Sequence, residues 1–178
     1  METNHQLHRK KLVRVLQYAH AGELGAARAY RGHWKAVTAP DEVDGIRKIE
    51  TEEWVHRAVV NRMLKALEAK PFLPLDILIG TIGGTLERLC PIAGWFLPMY
   101  FAGRLEFGNV DQYENAAFHA NRLGLNEMAK ELHAMTRTER EHELFFMNKV
   151  EGHPLLPLIQ TLFRWGPALR RNPKEATR

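Results

Sequence analysis

Six side chains recur along this chain in a fixed order. Glu23 comes first, then Glu53 with His56, then Glu106, then Glu139 with His142. The pattern is Glu, Glu-x-x-His, Glu, Glu-x-x-His. Glu23 sits in the run His-Ala-Gly-Glu-Leu-Gly-Ala-Ala-Arg-Ala-Tyr, from His20 to Tyr30, on a helix face that is otherwise apolar. A carboxylate buried on such a face is costly unless a positive charge meets it. A fold is therefore required that gathers these groups around something cationic.

The periodicity predicts helices throughout. From Leu7 to about Val37, the residues Leu12, Leu16, Ala19, Glu23, Ala26, Ala27 and Tyr30 fall at steps of three and four and share one face. The small residues around Glu23 leave room for a neighbouring helix to come close. A break at Thr38-Ala-Pro-Asp precedes a second helix over about 41–69. Its stripe is Ile46, Ile49, Glu53, His56, Val60, Met63, Leu64 and Leu67, with Glu50 one turn before Glu53. A third helix over about 99–123 carries Met99, Glu106, Val110, Tyr113 and Ala117 on one face. Gly124 stops it. The fourth, over about 127–150, carries Met128, Leu132, Met135, Glu139, His142 and Phe146. No alternating strand pattern competes. The halves 7–69 and 99–150 repeat one layout, an internal duplication of a helical hairpin.

Residues three apart on a helix have Cβ atoms about 5–6 Å apart. Glu53 and His56 can thus serve one metal ion, as can Glu139 and His142, with Glu23 and Glu106 arriving from the partner helices. Thirty helical residues span about 45 Å. An offset of that size returns the chain, through one antiparallel turn, to the same level of a bundle. The expected fold is all-α, a ferritin-like four-helix bundle of the di-iron or di-manganese carboxylate type. Four carboxylates and two imidazoles form a hard donor set for two ions that favours iron or manganese over zinc or copper. Each ligating His needs a partner for its other ring nitrogen, and Glu50 is a candidate. His20 reads as a core or outer-shell histidine, Tyr113 as either core or a hydrogen-bonded neighbour of the site, and Tyr30 as core. His33, His119 and His133 read as surface residues, and Cys90 as a small buried one.

Between the second and third helices lies an apolar insertion, 71–103, interrupted by Pro91 and Pro98 and rich in Trp95, Phe96, Tyr100 and Phe101. It reads either as a helical segment lying against a bilayer or as a buried helix pair. In the first case Trp95 and Phe96 are the expected contacts. A further apolar helix and polar tail, 153–178, ends with Arg170 and Arg171 near the terminus. At 178 residues the chain is expected to form a single domain with its core bundle at about 7–150. The lone Cys90 excludes an internal disulfide framework. The net charge of +4 decides between neither a membrane surface nor nucleic acid, and nucleic acid is not favoured. With no signal-peptide core at Met1–Arg14 and no run of about 20 apolar residues, the expected location is cytoplasmic, peripheral to the inner face of the membrane.

His20-Ala-Gly-Glu23, followed by Gly25-Ala, Arg28 and Tyr30, resembles the first motif of the demethoxyubiquinone hydroxylases of coenzyme Q biosynthesis. The resemblance continues over Glu53-x-x-His56, over Glu106 with Tyr113 seven residues later, and over Glu139-x-x-His142. It implies a membrane-peripheral di-iron monooxygenase. Glu23, Glu53, His56, Glu106, Glu139 and His142 would be the metal ligands, and Tyr113 would lie close by. It also implies O₂ and a lipophilic quinone as substrates. An electron donor of unknown identity and a homo-oligomer are further expectations. The chain departs from the family at Arg137 and Thr138, where the family tends to be acidic, and at Gln112, where it often has His. Neither departure removes a ligand. Two other readings compete. One is a rubrerythrin-like peroxidase, ferroxidase or tRNA hydroxylase on the same bundle. The other is a non-catalytic iron-binding bundle.

Overall fold

The fold is taken from a computed structural model in which residues 4–167 are described. Among these residues six α-helices follow one another. They are α1 (Asn4–Ala36), α2 (Pro40–Ala66), α3 (Leu73–Leu89), α4 (Phe96–Arg122), α5 (Asn126–Val150) and α6 (Leu156–Phe163), with a 3-10 turn at Cys90–Ile92 before α4. No strand occurs among the described residues. Arg170 and Arg171 lie outside them.

Local chemistry sets the boundaries. Pro40 opens α2, where its missing N–H is not needed, and Asp41 and Glu42 in the first turn suit the positive end of the helix dipole. At the end of α4, Gly124 takes φ +73°. The chain closes with Gly124 N–H on Asn121 O and Leu125 N–H on Ala120 O. This left-handed cap stops the helix where the sequence predicts.

The bundle is α1, α2, α4 and α5. α1 packs on α2, α4 packs on α5, and α3 lies along α1. Two apolar clusters fill it. One holds Leu12 and Leu16 of α1, Val60 and Leu64 of α2, Tyr113 and Ala117 of α4, and Leu132 and Met135 of α5. The other holds Tyr30, Ile46, Ile49, Tyr100, Phe146 and Val150 from the same four helices. α1 and α5 run from the first cluster to the second, and α2 and α4 run the other way. Because α2 and α4 are parallel, one long crossover is required, and α3 provides it. This is the connectivity of a ferritin-like bundle. On every helix the predicted site residues fall between the two clusters, so a polar layer lies between two apolar ones.

The α1–α3 contact explains Gly25 and Gly32. A Cβ on Gly83 would stand 2.3 Å from Gly25 O, and one on Gly32 would stand 2.2 Å from Glu87 O. The two backbones touch directly. Arg28 donates to Gly80 O at 2.8 Å, across the same seam. A buried polar cluster locks α3 further: Asp76 Oδ1 lies 3.0 Å from His20 Nδ1, and Asp76 Oδ2 accepts from Arg57 at 3.1 Å. His20 is thus buried, as predicted, but its partner is on α3.

The insertion divides into an inner and an outer set of side chains. Trp95 donates to Glu42 at 2.9 Å, and Phe96 is buried with its ring 4.0 Å from that of His153. Both residues predicted to meet a bilayer therefore point inward, because they close the loop end of the bundle. The exposed apolar side chains are others: Leu73, Ile77, Leu78 and Ile82 on α3, Ile92 in the turn, and Leu158 and Leu162 on α6. α6 is held through Trp165, whose indole occupies the space left by Gly103 and donates to Glu143 at 3.0 Å, and whose backbone carbonyl accepts from Tyr100 at 2.7 Å.

Candidate metal centre

All six predicted side chains meet in the polar layer, and all are buried. They form two overlapping groups. Glu23, Glu53, His56 and Glu139 offer ligand atoms within 4.8 Å of one another, and so do Glu53, Glu106, Glu139 and His142. Glu53 and Glu139 belong to both groups. The arrangement therefore offers two adjacent cation positions. Glu53 and Glu139 lie between them, with Glu23 and His56 on one side and Glu106 and His142 on the other.

The atoms that would face a cation lack ordinary partners. Glu23 Oε2, both oxygens of Glu53, His56 Nδ1, Glu139 Oε1 and His142 Nδ1 are buried without a hydrogen bond among the described residues. Yet they are close together: His56 Nδ1 is 2.7 Å from Glu139 Oε1, and His142 Nδ1 is 3.3 Å from Glu53 Oε1. Close approach without hydrogen-bond geometry is how ligand atoms stand around a shared ion. The donors present thus fit a pair of hard metal ions, and four carboxylate charges match two divalent cations.

Without that charge the carboxylates hold each other back. Burial pushes Glu53 and Glu106 well above the usual carboxylate range, and their acidic neighbours add to the effect. Burial raises Glu23 as well. Glu139 differs. Burial works against its charge, but the His142 and His56 imidazoles beside it outweigh that and hold it far below the usual range. His56 moves up, since Glu139 more than offsets the effect of burial on the imidazolium.

The outer contacts follow the internal duplication. Tyr113 stands seven residues after Glu106 and donates to Glu23 Oε1, while Tyr30 stands seven residues after Glu23 and donates to Glu106 Oε1. Each lone glutamate is held by the tyrosine of the other half. Tyr30 is therefore more than the core residue its position suggests, and extending the repeat by seven residues would have revealed it. Three other expectations need correction. Glu50 is not the outer partner of a site histidine. It pairs with Arg31 at 3.1 Å and accepts from Trp34 at 2.7 Å. Glu52 takes that place, 2.9 Å from His142 Nε2. His33 and His119 are buried, at 2% and 6% exposure, although both read as surface residues. They lie where α1 meets α5 and α4 respectively, against Phe146 and His8. The sequence reading also missed Asn109, which donates to Glu106 at 3.0 Å and to Glu139 at 3.4 Å. It lies one turn after Glu106, a spacing that could have drawn attention to it.

With this geometry in view, residues 10–90 match the model of a family described as "Ubiquinone biosynthesis protein COQ7". A relative from Dictyostelium discoideum, named "NADPH-dependent 3-demethoxyubiquinone 3-hydroxylase, mitochondrial", is 27% identical over 143 residues, which cover 80% of this chain and 64% of the relative. Over residues 10–90, just under half of its length, the chain is thus similar to the COQ7 family. It spans less than two thirds of that relative's length. No solved structure matches it. The COQ7 match spans α1 to α3 and so includes Glu23, Glu53 and His56. Glu106, Glu139 and His142 lie beyond it and are tied to the same centre by the fold.

Proposed function

We propose that this chain is a member of the COQ7 family and a di-iron monooxygenase that uses O₂ to hydroxylate a ring carbon of a quinone-like lipid in ubiquinone biosynthesis. Glu23, Glu53, His56, Glu106, Glu139 and His142 are the proposed metal ligands. The observation that carries the reading is the pair of overlapping ligand groups sharing Glu53 and Glu139. Iron bound there would supply the redox chemistry of O₂ reduction. Overall, a ring C–H becomes C–OH, the second oxygen atom leaves as water, and two electrons and two protons are consumed. The name of the Dictyostelium relative makes a reduced nicotinamide the donor to try first.

The chain's own residues prepare the centre. Tyr30 and Tyr113 orient the two terminal glutamates, Glu52 orients His142, and Asn109 joins Glu106 to Glu139. Apolar clusters on either side keep bulk water from the layer. An apolar cavity of about 450 Å³ opens between α1, α3 and α4, lined by Tyr30, Leu86, Leu97 and Phe101 among others. Tyr30 is common to its wall and to the centre, so a lipophilic ring in the cavity would lie beside the ligands. The exposed apolar side chains of α3 and α6 would rest on a bilayer that supplies the lipid. Among the described residues, no helix is long and apolar enough to cross one.

The test begins with anaerobic loading of the purified chain with Fe(II). We expect about two irons per chain, a coupled pair in the Mössbauer spectrum, and a hydroxylated quinone when O₂ and NADPH are added. Glu53→Ala is expected to abolish turnover, because it removes a residue common to both groups. A chain that takes up no iron, or a Glu53→Ala variant that still hydroxylates, would refute the proposal. Flotation with liposomes tests the membrane contact: Ile77→Ser with Leu78→Ser is expected to release protein that otherwise floats.

A further inference from the structure

The apolar cavity contains one polar side chain that nothing so far explains. Of the residues lining it, Tyr30 commits its hydroxyl to Glu106, and the Cys90 thiol lies 3.9 Å from Ala29 O. His33 also lines the cavity. It is 2% exposed, and its Nε2 is buried without a hydrogen-bond partner among the described residues. A buried polar group is ordinarily paired, and one that is not calls for a reason such as a missing ligand. In binding cavities that are mostly apolar, a few polar groups of this kind fix the ligand's orientation.

The position of His33 suits such a role. It follows Tyr30 by three residues, so both stand on the same face of α1, one turn apart. Both rings stack on Phe146, Tyr30 at 5.6 Å and His33 at 5.9 Å between centroids, with interplanar angles of 19° and 10°. Phe146 thus fixes the imidazole relative to the tyrosine that touches the metal centre. Burial lowers the His33 pKa to about 4, so the ring is neutral near pH 7. A neutral imidazole has one N–H donor and one acceptor nitrogen. The donor can serve a carbonyl or alkoxy oxygen without placing a charge in the apolar cavity.

We propose that His33 is a specificity-determining residue that hydrogen-bonds a ring oxygen of the quinone-like substrate and so selects which ring carbon faces the metal centre. The inference rests on the hydroxylase reading above. Its chemistry is particular: an aromatic ring bearing oxygen is recognised, and an equally apolar ring without oxygen is not.

The experiment compares two probes, 2-methoxy-5-methyl-6-decyl-1,4-benzoquinone and decylbenzene, titrated calorimetrically into the 178-residue chain in detergent. Wild type is expected to bind the quinone more tightly. His33→Phe keeps the stacking on Phe146 but has no donor. It should weaken quinone binding about tenfold and leave decylbenzene binding unchanged, whereas His33→Gln should stay within about threefold of wild type. In parallel, the His33 ¹⁵N resonances should shift on addition of the quinone and not of decylbenzene. The inference is overturned if His33→Phe binds the quinone as wild type does, or if it weakens both probes alike, which would mark a packing role. If wild type binds neither probe, the substrate reading of the cavity itself fails and takes this inference with it.

Discussion

Glu52 and His142 show how much a single neighbour can decide. The His142 ring presents Nδ1 to the centre, and Glu52 fixes the ring from behind through Nε2. Loss of an outer partner of a metal-binding histidine lowers metal affinity or activity by about 10–100-fold. Glu52→Ala is therefore expected to loosen iron by about that factor, measured by competition with a chelator, without unfolding the chain. His33 permits a second test at the same scale. Its folded pKa is depressed to about 4, from an ordinary value of 6.5. The unfolded chain therefore binds the proton first, and the stability present above pH 6.5 is lost as the pH falls towards 4. The loss amounts to at most about 3 kcal/mol. Denaturant midpoints taken from pH 7 to pH 4 should fall less steeply in His33→Phe than in wild type. Equal slopes would show that the imidazole is not buried as described.

Among the elements, α3 is the one whose role the sequence left open. Its glycines and its Asp76 now show how it is held: backbone against backbone along α1, with one buried polar cluster as a lock. Gly32→Ala would force its new methyl to within 2.2 Å of Glu87 O, a backbone atom that cannot turn aside. Overpacking of this kind costs about 1–3 kcal/mol. In a chain of this size that corresponds to a melting temperature lower by about 2–4 °C for each kcal/mol. Gly22→Ala is the control, because nothing lies within 4 Å of its added methyl and the helix gains a better former. Equal losses in the two variants would contradict the direct contact of α1 and α3.

For the whole molecule, four buried carboxylates in one layer make the bundle dependent on positive charge. Burial and mutual repulsion raise Glu23, Glu53 and Glu106, so the metal-free chain holds these acids at a loss near neutral pH. Metal that binds only the folded state adds about 2.7 kcal/mol when its free concentration is a hundred times its dissociation constant. Thermal melts are expected to rise on addition of Fe(II) or Mn(II) and to fall back with chelator. A melting temperature indifferent to metal would argue against the proposed ligand set.

Much of this was legible in the chain itself. Helical spacing is local, and Glu-x-x-His on one face follows from 3.6 residues per turn. The duplication then led to one bundle with four site-bearing helices, and the bounds of those helices agree with the expected ones to within a few residues. What the sequence could not settle depended on which faces meet. That Glu53 and Glu139 are common to both ligand groups, that Tyr30 and Tyr113 reach across to the other half, and that Trp95 and Phe96 turn inward while Ile77 and Leu158 stay out are all results of packing between distant segments. Periodicity tells which side chains share a face. Only the assembled bundle decides what that face meets, because burial and partners are properties of the neighbouring helices and not of the residue's own.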